Sequence, residues 1–329
     1  MKPVDPIVRL VGSVALAAAA ASCGGSAPPE VPQPSELEAF SDPRLAEAVR
    51  TAREAVAANP GLAVAWGRLG HVYLVHGWGP EAAECYRRAV EIEPRDFKWH
   101  YYLGRSVIDD DESSAEAFGR ALALSPDYVP AMIFYGDALT SLGRSDEARA
   151  QFERVTKLAP TFPSAWQRLG ELALGAGRLD EARGHLQRAL SLNPDQSEAH
   201  SALAKVYMIL RDESAARRHA EAARRPSNFP PIEDPLWVAV EMESRTPRGF
   251  LSRAMVFLQA GRVGLATEEL EKLVSGEQSD PQAWAFYGKG MLQMGRHGEA
   301  RKALDRALSL DPTSADANRV LEELRRVED

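Results

Sequence analysis

Residues 63–96 read AVAWGRLGHVYLVHGWGPEAAECYRRAVEIEPRD, and the spacing of large and small side chains in this stretch decides the architecture. At about 100° per residue, Trp66, Leu69, Gly70 and Tyr73 fall on one face of a helix. Ala82, Tyr86 and Ala89 share one face of a second helix, and Pro94 stops it. The stretch recurs along the chain. Ala or Ser returns at 48, 82, 114, 148, 182, 216, 266 and 300, with steps of 34, 32, 34, 34, 34, 50 and 34. A second small-residue column at 70, 104, 136, 170, 204, 254 and 288 repeats those steps from its own start. Prolines at 60, 94, 126, 160, 194 and 312 follow the same rhythm.

Within each unit, positions 4, 7, 8 and 11 form the apolar face of helix A, and positions 20, 24 and 27 that of helix B. Gly or Ala at 8 and 20 lets the two helices approach closely, and Gly143, Gly177, Gly261 and Gly295 suit a turn that needs positive φ. The pattern Trp66, Leu69, Gly70, Tyr73, Ala82, Tyr86, Ala89, Pro94 resembles the tetratricopeptide repeat (TPR). Trp166, Leu169, Gly170, Ala182, Leu186, Ala189 and Pro194, and again Trp284, Tyr287, Gly288, Ala300, Leu304, Ala307 and Pro312, carry the same resemblance. It implies an all-α fold, a right-handed superhelical solenoid of antiparallel helix pairs, in which stacking buries faces that single units leave open. Repeats are expected at 63–96, 97–128, 129–162, 163–196, 197–230, 247–280 and 281–314. The expected organisation is 42–230 for a half repeat plus five units, 231–246 for an insert, 247–314 for two units and 315–329 for a capping helix, with Leu321, Leu324 and Val327 covering the open end.

The beginning of the chain reads differently. Lys2 and Arg9 precede twelve apolar residues, Leu10 to Ala21, too few to span a bilayer. This is the pattern of a signal peptide over 1–22. Ala20-Ala21-Ser22-Cys23, followed by Gly24-Gly25-Ser26 and a Pro-rich stretch, resembles the lipobox and tether of bacterial lipoproteins, although Ala20 stands where Leu is commonest and Asp5 is an unusual acid there. The resemblance implies lipidation of Cys23, a flexible tether over 23–41, and an anchored position in the bacterial envelope, with the outer membrane facing the periplasm as the default.

Lys+Arg 39 against Asp+Glu 47 leaves a net charge of -8, which disfavours nucleic acid. Two cysteines build neither a disulfide framework nor a thiolate metal site, and Cys85 reads as a half-buried, inert thiol. The seven histidines form no metal or catalytic motif, with His100 and His200 at core position 4 of their repeats. The acidic run at 109–112 lacks the alternating ligands and central Gly of a calcium loop and reads as a solvated turn at a helix start. The expectation is therefore no enzyme, no cofactor, no metal and no small-molecule substrate.

The 50-residue step is 34 plus an insert of 16, carrying Phe229, three prolines, Leu236 and Trp237, with a short helix expected near Asp234 to Met242. These residues form either a plug packed on the junction of repeats five and six or a mobile hinge there. Positions 2, 5, 9 and 12 of helix A fall on the stripe beside the core and line the concave face. The stripe reads His71, Lys98, Tyr101 and Arg105, with Arg68 alongside, then Asp137, Glu171 and Lys205. An apolar line at position 12 runs from Leu74 through Ile108, Leu174, Met208 and Leu258 to Leu292. One reading is a solvated face. The other is a partner site in which the Arg105 fork pairs with a peptide carboxylate beside Tyr101. The function expected is a membrane-tethered scaffold for a protein or peptide partner. The alternative is a docking subunit of a periplasmic enzyme or electron-transfer complex.

Overall fold

A computed structural model describes residues 31–34, 43–224, 234–275 and 280–328. Every secondary-structure element among them is a helix. A single helix α1 (Pro43–Ala58) precedes five pairs: α2 (Ala63–Val75) with α3 (Gly79–Ile92), α4 (Phe97–Ser106) with α5 (Asp111–Leu124), α6 (Val129–Ser141) with α7 (Ser145–Leu158), α8 (Pro163–Gly175) with α9 (Leu179–Leu192), and α10 (Ser197–Ile209) with α11 (Glu213–Ala222). The short α12 (Pro235–Glu241) stands alone. Two more pairs follow, α13 (Pro247–Gln259) with α14 (Val263–Val274) and α15 (Pro281–Gln293) with α16 (His297–Leu310), and α17 (Ala315–Glu328) closes the chain. Within each array of pairs, every helix packs on its sequence neighbour, and each B helix on the next A helix, which is the stacking of a TPR solenoid.

The columns of the sequence account for this packing. At Gly136 an added Cβ would lie 2.5 Å from the Phe152 ring, so the small residue is what admits the partner helix. Gly143 turns α6 into α7 at φ 73, a conformation that costs Gly little, and Gly177, Gly261 and Gly295 repeat it. Arg211 adopts the same turn at φ 61 without that freedom. The proline and position-4 columns prove to be linked. Trp66 Nε1 donates to the carbonyl of Pro60 at 2.8 Å, and Trp166 Nε1 to that of Pro160 at 3.1 Å. His100 and His200 make the same bond through Nε2 to Pro94 and Pro194 at 3.0 and 2.9 Å. In these four repeats position 4 thus ties the A helix to the end of the preceding B helix.

The acidic run acts as a helix start. Asp110 accepts from Ser113 N at 3.2 Å and from Ser113 Oγ at 2.7 Å, and Asp111 and Glu112 occupy the positive first turn of α5. Cys85 is fully enclosed rather than half-buried, and burial, aided by Glu84, pushes its thiol up from the ordinary range. At the far end Ala317, Val320, Leu321 and Leu324 of α17 join the core of the last repeat. Val327, expected in that contact, is 58% exposed, one turn beyond it.

Two departures from expectation change the picture of the N-terminal half. Residues 31–34 do not behave as part of a flexible tether. The Pro32 carbonyl accepts from Arg53 Nη1 and from Tyr73 Oη, both at 2.7 Å, while Val31 packs on the core and Pro34 is buried. The insert helix, in turn, does not plug the junction of repeats five and six. It crosses to the first three repeats, packs on α2, and contributes the fully buried Val240 to their core. Phe229 lies outside the described residues. Among those residues, α13 does not stack on α11; α12 and α13 pack together instead.

Candidate partner-binding site

Helices α2, α4 and α6 present positions 5, 6 and 9 to the inner face of the solenoid, and α12 lies against them. Asp234 is the node. Its Oδ1 caps α12, accepting from Leu236 N and Trp237 N, both at 3.1 Å, and also accepts from Tyr128 Oη at 2.6 Å. Its Oδ2 accepts from Tyr101 Oη and from Arg105 Nη1, the latter at 3.3 Å. Arg105 Nη1 also donates to Tyr101 Oη at 3.0 Å. The Arg105 guanidinium carbon lies 3.8 Å from the centre of the Trp237 ring and 4.4 Å from that of Phe134, a cation held between two aromatic faces. Tyr102 Oη donates to the Leu236 carbonyl at 2.9 Å. Beyond the helix, Arg68 Nε pairs with Glu243 at 2.9 Å, and Arg245 N donates to His76 Nε2 at 3.2 Å.

The basic aromatic end of the stripe is therefore engaged from within the chain. The carboxylate on Arg105 is Asp234, not that of an incoming peptide, and Tyr101 is fully buried rather than an open wall. Burial raises the phenol of Tyr101 above its ordinary range, and the Asp234 charge adds to that effect against Arg105. Tyr128 shifts upward for the same first reason, reinforced by its bond to Asp234. Both phenols are held as donors. Lys98 is drawn elsewhere, to Asp96 at 2.9 Å and over the Trp99 ring at 5.0 Å.

His71 sits among Tyr102 and Tyr86, with ring centres 4.5 and 5.9 Å away, and its Nε2 is buried without a hydrogen-bond partner among the described residues. Burial, then the charges of Lys98 and Arg68, lower its pKa to about 3. In the unfolded chain it titrates near 6.5. Above that pH neither state holds the proton. Below it only the unfolded state takes one up, so stability falls by about 1.4 kcal/mol per pH unit, or about 2 kcal/mol by pH 5. Urea titrations at about pH 7.5 and 5 are expected to show this loss in the natural chain and a smaller one in His71→Phe; equal losses would contradict it.

The rest of the stripe is open. Asp137 pairs with Arg168 Nη2 at 2.7 Å, and Glu171 accepts from Gln167 Nε2 at 3.0 Å. Glu171, Glu198, Ser201 and Lys205 are exposed around a cavity of about 540 Å³ that Leu174 also lines. Of the position-12 line, Met208 is 68% exposed whereas Leu258 is buried. Sequence reasoning missed Asp234, Tyr128 and Phe134. Asp234-Pro235 is a helix-start signature, but nothing local shows which arginine its carboxylate meets. Among the described residues, no group of three or more His, Cys, Asp and Glu side chains is placed to hold a metal ion, and no helix is long and apolar enough to cross a membrane.

Paired helices of fixed period with an A-helix inner face define a helical-repeat solenoid. Family models of the tetratricopeptide repeat match residues 112–172, 163–206 and 281–324, and the chain is a tetratricopeptide-repeat protein. A comparison with curated proteins finds no match. Similar solved structures include MamA, at 25% identity over 47% of this chain and 96% of that one, with a TM-score of 0.44. YrrB, described as a TPR protein with an unusual peptide-binding site, gives 24% identity, 48% and 82% coverage and a TM-score of 0.46. PilF of Pseudomonas aeruginosa gives 17% identity, 83% and 99% coverage and a TM-score of 0.42.

Proposed function

We propose that this protein is a lipid-anchored scaffold of the bacterial envelope that binds a protein or peptide partner along the inner face of repeats three to five. The observation that supports this reading is the placing of α12. A short helix of the chain itself occupies the inner face at repeats one to three, through an acidic cap, an aromatic side chain and a backbone carbonyl. These are the contacts a peptide would use, and the adjoining surface around Glu171, Ser201 and Lys205 carries the same mixture of charge and apolar wall with nothing on it among the described residues. On this reading the partner takes that open stretch, while Tyr101 and Arg105 hold α12 and Arg68 holds Glu243 just beyond it.

Anchoring rests on the lipobox-like run ending in Cys23. Cys23→Ser is expected to move the protein out of the membrane fraction or leave it uncleaved; membrane recovery at unchanged mobility would refute the anchor. For the partner, a photo-crosslinking residue at position 201 on the inner face is compared with one at position 188, exposed on a B helix. One defined adduct from 201 and none from 188 is the expected result. Equal labelling from both positions would remove the inner face as the binding surface.

A further inference from the structure

Because α12 carries the chain back to the first repeats, α13 and α14 come to lie beside α1 and α2, where an uninterrupted solenoid would have no such neighbour. Between them is a cleft of about 470 Å³. Its lining holds five cations, Arg44, Arg68, Arg245, Arg253 and Lys272, against three carboxylates, Glu47, Glu243 and Glu269. The surplus is positive in a chain whose net charge is -8.

The carboxylates are already committed. Glu269 binds Arg253 through Nε at 2.9 Å and Lys272 at 2.6 Å. Glu243 serves Arg68 at 2.9 Å and Arg245 at 3.7 Å, and Glu47 bonds to Arg50 outside the cleft. Three cations crowd one ring, with Arg44, Arg253 and Lys272 at 5.3, 4.7 and 5.5 Å from the centre of Phe250. Only Nε of Arg68 is bonded, so its two terminal nitrogens have no hydrogen-bond partner among the described residues, and the side chain is 56% exposed. Burial, opposed by Glu243 and aided by the Arg253 charge, holds the Arg245 guanidinium below its ordinary value.

We infer that this cleft binds an acidic segment of a partner protein, with carboxylates meeting Arg68 and Lys272 and a neighbouring apolar side chain resting on the exposed Met242. Met242, 41% exposed, separates this ligand from a bare inorganic anion, which would leave it uncovered. The class of ligand rests on the partner-binding function proposed above; the location does not, since the cleft is away from the inner face of repeats three to five.

The test uses the full chain and a fluorescein-labelled peptide, Gly-Glu-Leu-Glu-Phe-Glu-Leu-Gly, with a twin carrying Gln for every Glu, read by anisotropy. The acidic peptide is expected to bind, more weakly as salt is raised, and the Gln twin not to. Arg68→Gln with Lys272→Gln should weaken binding at least about tenfold at unchanged helical content. Arg87→Gln with Arg120→Gln removes the same charge from exposed positions elsewhere and should leave binding as it was. Equal weakening by both pairs, or none by the first, overturns the cleft. Saturable binding of inorganic phosphate without binding of the peptide overturns the ligand class. None of these failures touches the adduct expected from position 201, so the two readings fail separately.

Discussion

Asp234→Ala is expected to lower stability by about 3–5 kcal/mol, the range for removing one partner of a buried charge pair. The carboxylate is nearly enclosed, at 6% exposure, and Arg105 is at 15%. The substitution strips Arg105 of its counter-charge, takes the acceptor from the Tyr101 and Tyr128 hydroxyls, and removes the cap of α12, itself a loss of about 1 kcal/mol. Urea unfolding measures the loss. Trp237 fluorescence should shift to the red in the folded state, because the ring leaves Arg105. Asp234→Asn keeps a cap and loses the charge, so its stability should fall between those of the natural chain and Asp234→Ala. Arg105→Met in the Asp234→Ala background should recover part of the loss, since an uncompensated buried cation goes with it. A change under about 1 kcal/mol in Asp234→Ala would show that α12 is not held by this node.

Arg253→Ala should cost a similar amount, about 3–5 kcal/mol. Its side chain is 4% exposed and its fork meets Glu269, the Ser244 carbonyl at 2.7 Å and the Glu241 carbonyl at 3.1 Å. Lysine carries the charge but not the planar fork, so Arg253→Lys should recover less than half of the loss in thermal unfolding. Full recovery by Lys would mean that charge alone matters there.

Arg253 also marks the border between what the sequence makes legible and what it does not. It stands at position 7, where Leu69, Leu103, Leu169 and Leu203 fill the core of other repeats. An arginine in that column signals that α13 does not meet a preceding B helix, and its two carbonyl acceptors, Glu241 and Ser244, come from the end of the insert. Helix pairs, turns and the cap of α5 are readable because each depends on residues within one or two repeats. The destination of α12 is not, because the Asp234 to Tyr101 bond is long-range and no periodicity encodes it. The insert helix itself is visible from Asp234-Pro235 and its apolar run, while its receptor is not the nearest junction that the sequence suggests. Arg105 and Tyr101 read as a pair suited to a carboxylate, and the carboxylate they meet is the chain's own. The docking of Pro32 on Tyr73 likewise leaves no local sign, since a Pro-rich stretch reads as a linker whether or not a tyrosine awaits its carbonyl.

Repeat arrays ordinarily fold as a line of neighbours, with each unit stabilised by the next and nucleation free to begin anywhere. The bond between Tyr101 and Asp234 spans 133 residues, and closing a loop of that length costs about 4 kcal/mol in chain entropy by the logarithmic law. The first three repeats therefore cannot reach their final packing until the chain past Glu241 has left the ribosome. During that interval the Tyr101 hydroxyl and the Arg105 guanidinium lack the Asp234 carboxylate and the Trp237 ring. Once the node closes, unfolding from the N-terminal end must break it before any early repeat can peel away, so α1 to α7 and α12 should exchange their amide protons as one cooperative block.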